Sequence, residues 1–249
     1  MVGVAANNNM IHLAKDSKLW KDIHDCDTEH YVSVTCFLDF IGEGYNSRAS
    51  LFKRNKPPPS SYTQLMFDYG HKNEIKAKAL FDRQYPGYLL SEEAMKDISV
   101  VKNDLLGTPD GFLYSEEEGL GILEVKCPYG NQYGKEQIIE TRFEENPKRW
   151  KHWLQLQLYL FITGFNYGIL AYYYPYGGTN GEQVLIITKV KRDEKIAESL
   201  KIEENVALFF DIQAATDPRI QNKRVKKVNH GITTERISKG IIQRVSLQV

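Results

Sequence analysis

One short segment constrains the fold of this chain more than any other. It reads GTPDG at residues 107–111 and ILEVKCP at residues 122–128, with a turn-rich stretch between the two. Apolar runs bounded by glycine, proline and serine predict two short strands joined as a hairpin. Alternate side chains of a strand share a face, so we expect Glu124 and Lys126 to point the same way. Pairing of the strands would bring Asp110 to the same place.

Two carboxylates and one ammonium on one side of a sheet suit a hard divalent cation and a phosphodiester. Mg²⁺ takes oxygen ligands and keeps several waters, and a bound metal makes water a stronger nucleophile. Lys126 can hold the attacking water or offset the developing charge. The alternative is an exposed Glu124–Lys126 salt bridge across the hairpin, which would add little stability. The apolar run around Glu124 favours the first interpretation, because buried charges are usually paired or bound to a metal.

These residues, TPDG followed by LEVKCP, resemble the PD-(D/E)xK nuclease signature. The form is that of lambda exonuclease and the YqaJ-type viral recombinases, a group that includes the alkaline exonucleases of large DNA viruses. Further segments resemble the family in the right order: FDYGHKNEIKAKA at 67–79, WLQLQLYLFITG at 153–164, YYYP at 172–175, and VLIITKVKRDE at 184–194. The resemblance implies an α/β, restriction-endonuclease-like core with a central mixed β-sheet flanked by helices.

The same resemblance implies a metal-dependent DNA exonuclease, acting 5′→3′ on double-stranded ends in recombination or viral DNA processing. Asp110, Glu124 and the backbone carbonyl of Val125 would hold Mg²⁺, for which Mn²⁺ can substitute, and two ions are expected. Lys126 would orient the water. The alternatives are an endonuclease on the same core or a catalytically inactive DNA-binding protein. The complete set of Asp110, Glu124 and Lys126 argues against the inactive protein, because binding alone does not require it.

Two helical residues join this site by resemblance. Glu74 resembles the family's additional acidic residue near the metal, although it could instead pair with Lys78 at i,i+4. Gln155 resembles the first glutamine of the family's Q-x-Q motif, which lies beside the catalytic lysine. Gln157 is about 200° further around the helix, so both glutamines cannot face one site. We expect Gln157 to bond to a backbone group instead.

A phosphate anchor is expected in the segment SRASLFK at residues 47–53, which resembles the family's T-A-S segment. Ser50 would be the phosphate-binding hydroxyl, or alternatively a helix N-cap. The family's nearby arginine is absent from the preceding IGEG at residues 41–44. Arg48 or Lys53 could replace it as the DNA- and phosphate-binding cation.

The chain is expected to comprise a nuclease domain over residues 1–211 and a basic tail or extension over 212–249. The tail carries eight basic residues from position 219 onward against one glutamate, which suits either a phosphate-tracking surface or a solvated tail. We predict a mixed, largely helical start at 13–40, helices at 62–85, 152–163 and 193–211, and strands at 98–101, 111–114, 122–126, 168–174 and 183–190.

Composition excludes several classes of protein. The three cysteines, without a C-x-x-C pair, argue against an iron–sulfur cluster and favour a reducing compartment. No apolar run reaches membrane-spanning length, and the N-terminus lacks the features of a signal peptide. We therefore expect an intracellular protein, cytoplasmic or nuclear, with no membrane partner. Expected partners are double-stranded DNA ends and a single-strand annealing protein, and the chain would act as a monomer or a homo-oligomer such as a trimer.

Overall fold

The computed structural model describes residues 9–14, 17–25, 30–52, 58–91, 95, 97–129, 143, 146–178, 181–216 and 243–244. The strands are β1 (Met10–His12), β2 (Val32–Ser33), β3 (Ile98–Lys102), β4 (Leu105–Gly107), β5 (Gly111–Ser115), β6 (Gly119–Lys126), β7 (Tyr167–Tyr174), β8 (Val184–Lys191) and β9 (Gln243–Arg244). The helices are α1 (Lys18–His24), α2 (Val34–Ile41), α3 (Arg48–Leu51), α4 (Ser61–Gln84), α5 (Pro147–Thr163), α6 (Ile196–Ser199) and α7 (Ile202–Thr216).

The central sheet has the strand order β5-β6-β7-β8. Its β6–β7 pair is parallel, whereas β5–β6 and β7–β8 are antiparallel, so the sheet is mixed. Every residue of β7 is buried, because helices cover both faces of the sheet. The mixed sheet with flanking helices confirms the predicted fold class.

The two faces of the central sheet pack against different helices. Leu123 of β6 belongs to the core that contains Ala77 of α4. Its neighbour Ile122 belongs to the larger core that contains Leu154 of α5. The period-2 alternation of β6 therefore places successive side chains beneath two different helices.

A second sheet, in the order β2-β4-β3-β1-β9, was not predicted. The N-terminal stretch 13–40 was expected to be mixed and largely helical, and its described residues contain α1, α2 and the two-residue strand β2; β1 lies just before it. Strands of two or three residues are too short for an alternating pattern to reveal them. Strand β9 pairs antiparallel with β1, which attaches part of the expected basic tail to this sheet. Residues 217–242 and 245–249 of the tail lie outside the described residues.

The helix boundaries follow local chemistry. Helix α4 begins after Ser60, whose hydroxyl accepts a hydrogen bond from the backbone N–H of Thr63 at 3.1 Å. Helix α5 starts at Pro147, five residues earlier than predicted, and proline is favourable at a first helical position. The predicted helix at 193–211 is divided into α6 and α7, because Lys201 has a φ of 46°.

Two further observations bear on the expectations from composition. Cys36 is disulfide-bonded, although the cysteine pattern favoured a reducing compartment, and Cys127 is free. No helix among the described residues combines the length and apolar character needed to cross a bilayer.

Candidate active site

The β5–β6 hairpin brings the three motif residues together. Gly111, the first residue of β5, pairs with Leu123, so Asp110 immediately precedes β5 and lies beside β6. Its Oδ2 accepts a hydrogen bond from the backbone N–H of Val125 at 2.7 Å. On the α5 face, Lys126 Nζ lies 2.6 Å from Glu124 Oε1. The Glu124 side chain is buried beneath α5, with 2% of the residue exposed, so this pair differs from an exposed hairpin salt bridge.

Helix α5 supplies the next partner of the lysine. Lys126 Nζ donates to Gln155 Oε1 at 3.0 Å, and Gln155 Nε2 contacts the hydroxyl of Tyr159, one turn later, at 3.0 Å. The ring of Tyr159 also explains a glycine in the motif. A Cβ at Gly107 would lie 2.2 Å from Tyr159 Cε1, so only glycine fits there.

The second glutamine of the Q-x-Q motif faces elsewhere, as expected from helix geometry. Gln157 Nε2 donates to the carbonyl of Lys191 at 2.8 Å, and its Oε1 accepts from the N–H of Asp193 at 2.8 Å. The buried amide thus fixes the chain where β8 ends. Its contacts are structural, whereas those of Gln155 are with Lys126 and Tyr159.

Glu74 approaches the cluster from α4. It forms an ion pair with Lys78 at 2.6 Å, which is the i,i+4 pair considered as its alternative role. Its charge is also close enough to raise the pKa values of both Asp110 and Glu124. Glu74 is therefore both paired with Lys78 and close to the two carboxylates.

The electrostatics of the cluster show a local excess of negative charge. Burial, followed by the neighbouring Glu124 and Glu74, raises the pKa of Asp110 well above its ordinary value. Burial also raises the pKa of Glu124, although Lys126 opposes this. For Lys126, burial disfavours the ammonium, but the Glu124 and Asp110 carboxylates outweigh it and the pKa is raised. A further cation would relieve the repulsion among the carboxylates.

The donors at this position fit a metal ion. Glu124 Oε2 is buried and has no hydrogen-bond partner among the described residues. The N–H and C=O of a strand residue lie on the same edge, so the Val125 carbonyl is on the Asp110 side. Within the described part of the chain, no group of three or more histidine, cysteine, aspartate or glutamate side chains is arranged to hold a metal. Mg²⁺ needs only one or two carboxylates, with water completing its shell, so the donor set suits Mg²⁺.

A second polar chain, missed by sequence analysis, runs beside this cluster. His152 of α5 lies between two tyrosines, with Nε2 at 2.7 Å from the Tyr45 hydroxyl and Nδ1 at 3.0 Å from the Tyr172 hydroxyl. Tyr172 is the strand partner of Lys126 across the β6–β7 pair. The available sequence signal was an aromatic residue within the glycine-rich segment that follows α2.

The residues expected to anchor a phosphate, Ser50 and Arg48, contact other groups than the carboxylate cluster. The Ser50 hydroxyl donates to the carbonyl of Ser47 at 2.6 Å, and Ser50 lies inside α3, so it is not a helix N-cap. The Arg48 guanidinium is 4.1 Å from the centroid of the Phe40 ring. These contacts are with Phe40 of α2 and with Ser47, which precedes α3, and among the described residues neither side chain joins the Asp110–Glu124–Lys126 cluster. Lys53 lies outside the described residues.

Comparison with known proteins assigns the chain to a family. The YqaJ-like viral recombinase domain matches residues 29–166, more than half of the 249 residues. The chain belongs to the YqaJ-like viral recombinase family. This family is exonuclease-like, so membership supports a nuclease. The matched region contains Glu74, Asp110, Glu124, Lys126 and Gln155.

Solved structures share the fold of this YqaJ-like protein. LHK-Exo in complex with dAMP aligns with a TM-score of 0.53 at 15% identity, covering 84% of this chain and 98% of that chain. The alkaline exonuclease LHK-Exo from Laribacter hongkongensis aligns with a TM-score of 0.51 at 17% identity, covering 80% and 94%. At these identities the likeness shows the fold alone. No curated protein sequence matches the chain significantly.

Proposed function

We propose that this YqaJ-like protein is a Mg²⁺-dependent deoxyribonuclease that degrades duplex DNA from its ends, 5′→3′, in recombination or viral DNA processing. The observation that carries the proposal is the buried Glu124 carboxylate. One of its oxygens is bound by Lys126, and the other has no hydrogen-bond partner among the described residues. An unpaired oxygen in a crowded acidic cluster is costly unless a cation binds there.

Asp110, Glu124 and the Val125 carbonyl would hold the metal, and Glu74 would support a second ion. Mg²⁺, or Mn²⁺ in its place, supplies an acidified water and offsets charge on the phosphate oxygens when bound. The Asp110 side chain is already oriented, because its Oδ2 accepts a hydrogen bond from the Val125 N–H at 2.7 Å. The strand pairing of β5 with β6 fixes the separation of the two carboxylates.

Lys126 has the geometry of a positioning donor. Its ammonium carries three N–H groups, and the oxygens of Glu124 and Gln155 accept two of them at 2.6 and 3.0 Å. The third N–H can be directed at the attacking water or at a phosphate oxygen. Gln155 in turn contacts Tyr159, which holds its amide oxygen towards Lys126.

Two alternatives remain within the same fold. An endonuclease would use the same cluster but need no DNA end, and a catalytically inactive DNA-binding protein would need no metal chemistry. The complete cluster of Asp110, Glu124, Lys126 and Gln155 favours an enzyme. For the end-dependent enzyme we propose duplex DNA ends as substrate, Arg48, Ser50 and Lys53 as phosphate contacts, and a single-strand annealing protein as a partner. It would act inside the cell, as a monomer or a homo-oligomer such as a trimer.

The proposal is tested by digesting linear and covalently closed circular duplexes of the same sequence. With Mg²⁺ or Mn²⁺, linear DNA should be degraded and closed circles spared, because an exonuclease requires an end. Ca²⁺ should support binding without turnover, since its looser coordination misplaces the water. Duplexes labelled separately at the 5′ and 3′ ends report the polarity.

Each alternative has its own outcome in this digest. Circles nicked as fast as linear DNA is shortened would establish the endonuclease. Metal-independent binding without any cleavage in Mg²⁺ or Mn²⁺ would establish the inactive DNA-binding protein. Early release of the 3′ label rather than the 5′ label would reverse the proposed polarity while leaving the metal chemistry intact.

A further inference from the structure

The segment 42–47 between α2 and α3, here called the Tyr45 loop, is held in place at several points. Asp39 accepts from both the backbone and the side chain of Asn46, at 2.9 and 2.8 Å. Further contacts connect the loop to α5: Trp150 Nε1 donates to Glu43 Oε2 at 3.1 Å, and Lys151 Nζ donates to the Gly44 carbonyl. The loop therefore has a defined position relative to α5.

Tyr45 is the aromatic residue that this loop presents to solvent. The residue is 59% exposed, yet its hydroxyl is bound to His152 at 2.7 Å. The ammonium of Lys151 lies 4.7 Å from the centroid of its ring. The ring is thus exposed to solvent but held in position by a hydrogen bond to a buried residue.

The Tyr45 ring lies beside the proposed active site. His152 links it to the Tyr172 hydroxyl, and Tyr172 lies opposite Lys126 in the β6–β7 register. His152 is also three residues before Gln155, so both project from adjacent turns on the same side of α5. Two hydrogen bonds and one strand pair thus connect the ring to the residue that would face the scissile phosphate.

We propose that the Tyr45 ring is a stacking subsite for a nucleotide of the cleaved strand next to the scissile phosphate, with Lys151 as its phosphate contact. The inference rests on the proposed nuclease function and adds a substrate-binding residue to it. Every base presents a π-face, so a tyrosine platform would bind without sequence preference. The tether through His152 would set the position of the stacked nucleotide relative to Lys126.

Kinetics on linear duplex test the platform. Tyr45→Leu should lower kcat/KM about ten-fold, a loss in the range of one stacked base. The concentration of Mg²⁺ for half-maximal rate should not change, because the carboxylates remain. Tyr45→Phe keeps the ring and loses the hydroxyl, so its kcat/KM should fall less than that of Tyr45→Leu. Melting temperatures of all variants should match the wild type, since Tyr45 is largely exposed.

Tyr85→Leu is the matched control. Tyr85 follows the end of α4, about 16 Å along the helix axis from Glu74, and is also exposed. Its replacement should leave kcat/KM unchanged. An equal loss for Tyr85→Leu and Tyr45→Leu would overturn the proposal, because the effect would then be general to exposed tyrosines.

Photocrosslinking gives a readout that is independent of cleavage. Duplexes carrying 5-iodo-2′-deoxyuridine at successive positions from the 5′ end would be bound in Ca²⁺, irradiated and mapped by mass spectrometry. A crosslink to Tyr45 from one or two adjacent positions supports the subsite. Crosslinks that never include the Tyr45 loop, together with a wild-type rate for Tyr45→Leu, would overturn it. Failure of the wild-type protein to cleave DNA would instead refute the proposed function, while the crosslink would still report on the contact.

Discussion

The two faces of the central sheet differ in chemistry although the same strand supplies both. On the α4 face, β6 contributes Leu123 and Val125 to an apolar core. On the α5 face, it contributes Glu124 and Lys126, which contact each other and Gln155. The comparison shows how strand alternation lets consecutive residues serve stability and chemistry separately. Leu123 of the α4 face should therefore affect folding, and Glu124 and Lys126 of the α5 face should affect activity.

Burial also has opposite effects on stability at the two faces. Burial of a large apolar side chain such as Leu123 stabilises the fold by about 1.5–3 kcal/mol. Burial of the Asp110 and Glu124 carboxylates raises their pKa values, which means that their ionised forms are destabilised in the fold. A site that is unfavourable without a cation is consistent with one that binds a metal.

The largest effect is expected for Lys126→Ala. Cleavage of linear duplex should fall about 10³-fold or more, because a charged donor is lost from the proposed active site. Circular dichroism should show the native fold, and most of the DNA affinity should remain. Lys189→Ala is the matched control, since Lys189 forms an exposed pair with Glu118 on the hairpin turn. If Lys126→Ala cleaves like Lys189→Ala, the Glu124–Lys126 pair is only a salt bridge.

On the opposite face, Leu123→Ala should reduce the free energy of unfolding by about 2–5 kcal/mol, because a fully buried side chain is removed from the core. Its kcat at a temperature below its melting point should stay close to the wild-type value. Denaturant unfolding and a single-temperature digest measure the two quantities. A loss of kcat without loss of stability would show that the α4 face takes part in the chemistry.

The two glutamines of α5 sharpen the comparison within one helix. Gln155→Leu should lower kcat about 10–100-fold, because Lys126 loses an oxygen that positions it, with little change in stability. Gln157→Leu should do the reverse, reducing stability by about 1–3 kcal/mol, since the backbone groups of Lys191 and Asp193 lose their partner. The same result for both variants would mean that the helix does not divide the two roles.

The smallest effect is expected for Asp110→Asn in the absence of metal. Its folded pKa is raised above the ordinary value of 3.8, so the ionised carboxylate destabilises the fold at neutral pH. Removal of that charge should increase stability by about 1 kcal/mol at pH 7. The gain should disappear as the pH falls below 3.8, where Asp110 is protonated in both states. A destabilised variant at pH 7 would show that the hydrogen bond to Val125 outweighs the repulsion.

The hairpin and the central sheet could be predicted from the sequence because the residue patterns that indicate them are local. The strand pattern around Glu124 predicts that Glu124 and Lys126 share one face, and helix periodicity predicts that Gln155 and Gln157 face opposite sides. The contact between Lys126 and Gln155 joins residues 29 positions apart, and the family resemblance anticipated it. The link between Tyr45 and His152 spans 107 positions, and no periodicity in the chain encodes it.

The second sheet escaped prediction for a different reason. Strand β2 has two residues and β4 has three, so neither shows the alternation from which a strand can be inferred. Their pairing depends on the tertiary approach of α2 and β3 rather than on local sequence. The phosphate anchor at Ser50 rests on similarity of sequence and stays a prediction; in the structure the Ser50 hydroxyl donates to the carbonyl of Ser47, the residue that precedes α3.

A magnesium titration of the wild-type protein and Glu124→Gln tests the central claim most directly. After treatment with EDTA, Mg²⁺ should restore cleavage of linear duplex by the wild type. Without DNA it should also raise the melting temperature in a dose-dependent manner, because binding to the folded state stabilises it. Glu124→Gln should show neither response. Cleavage at the full rate in EDTA, or by Glu124→Gln in Mg²⁺, would contradict a metal site at Glu124.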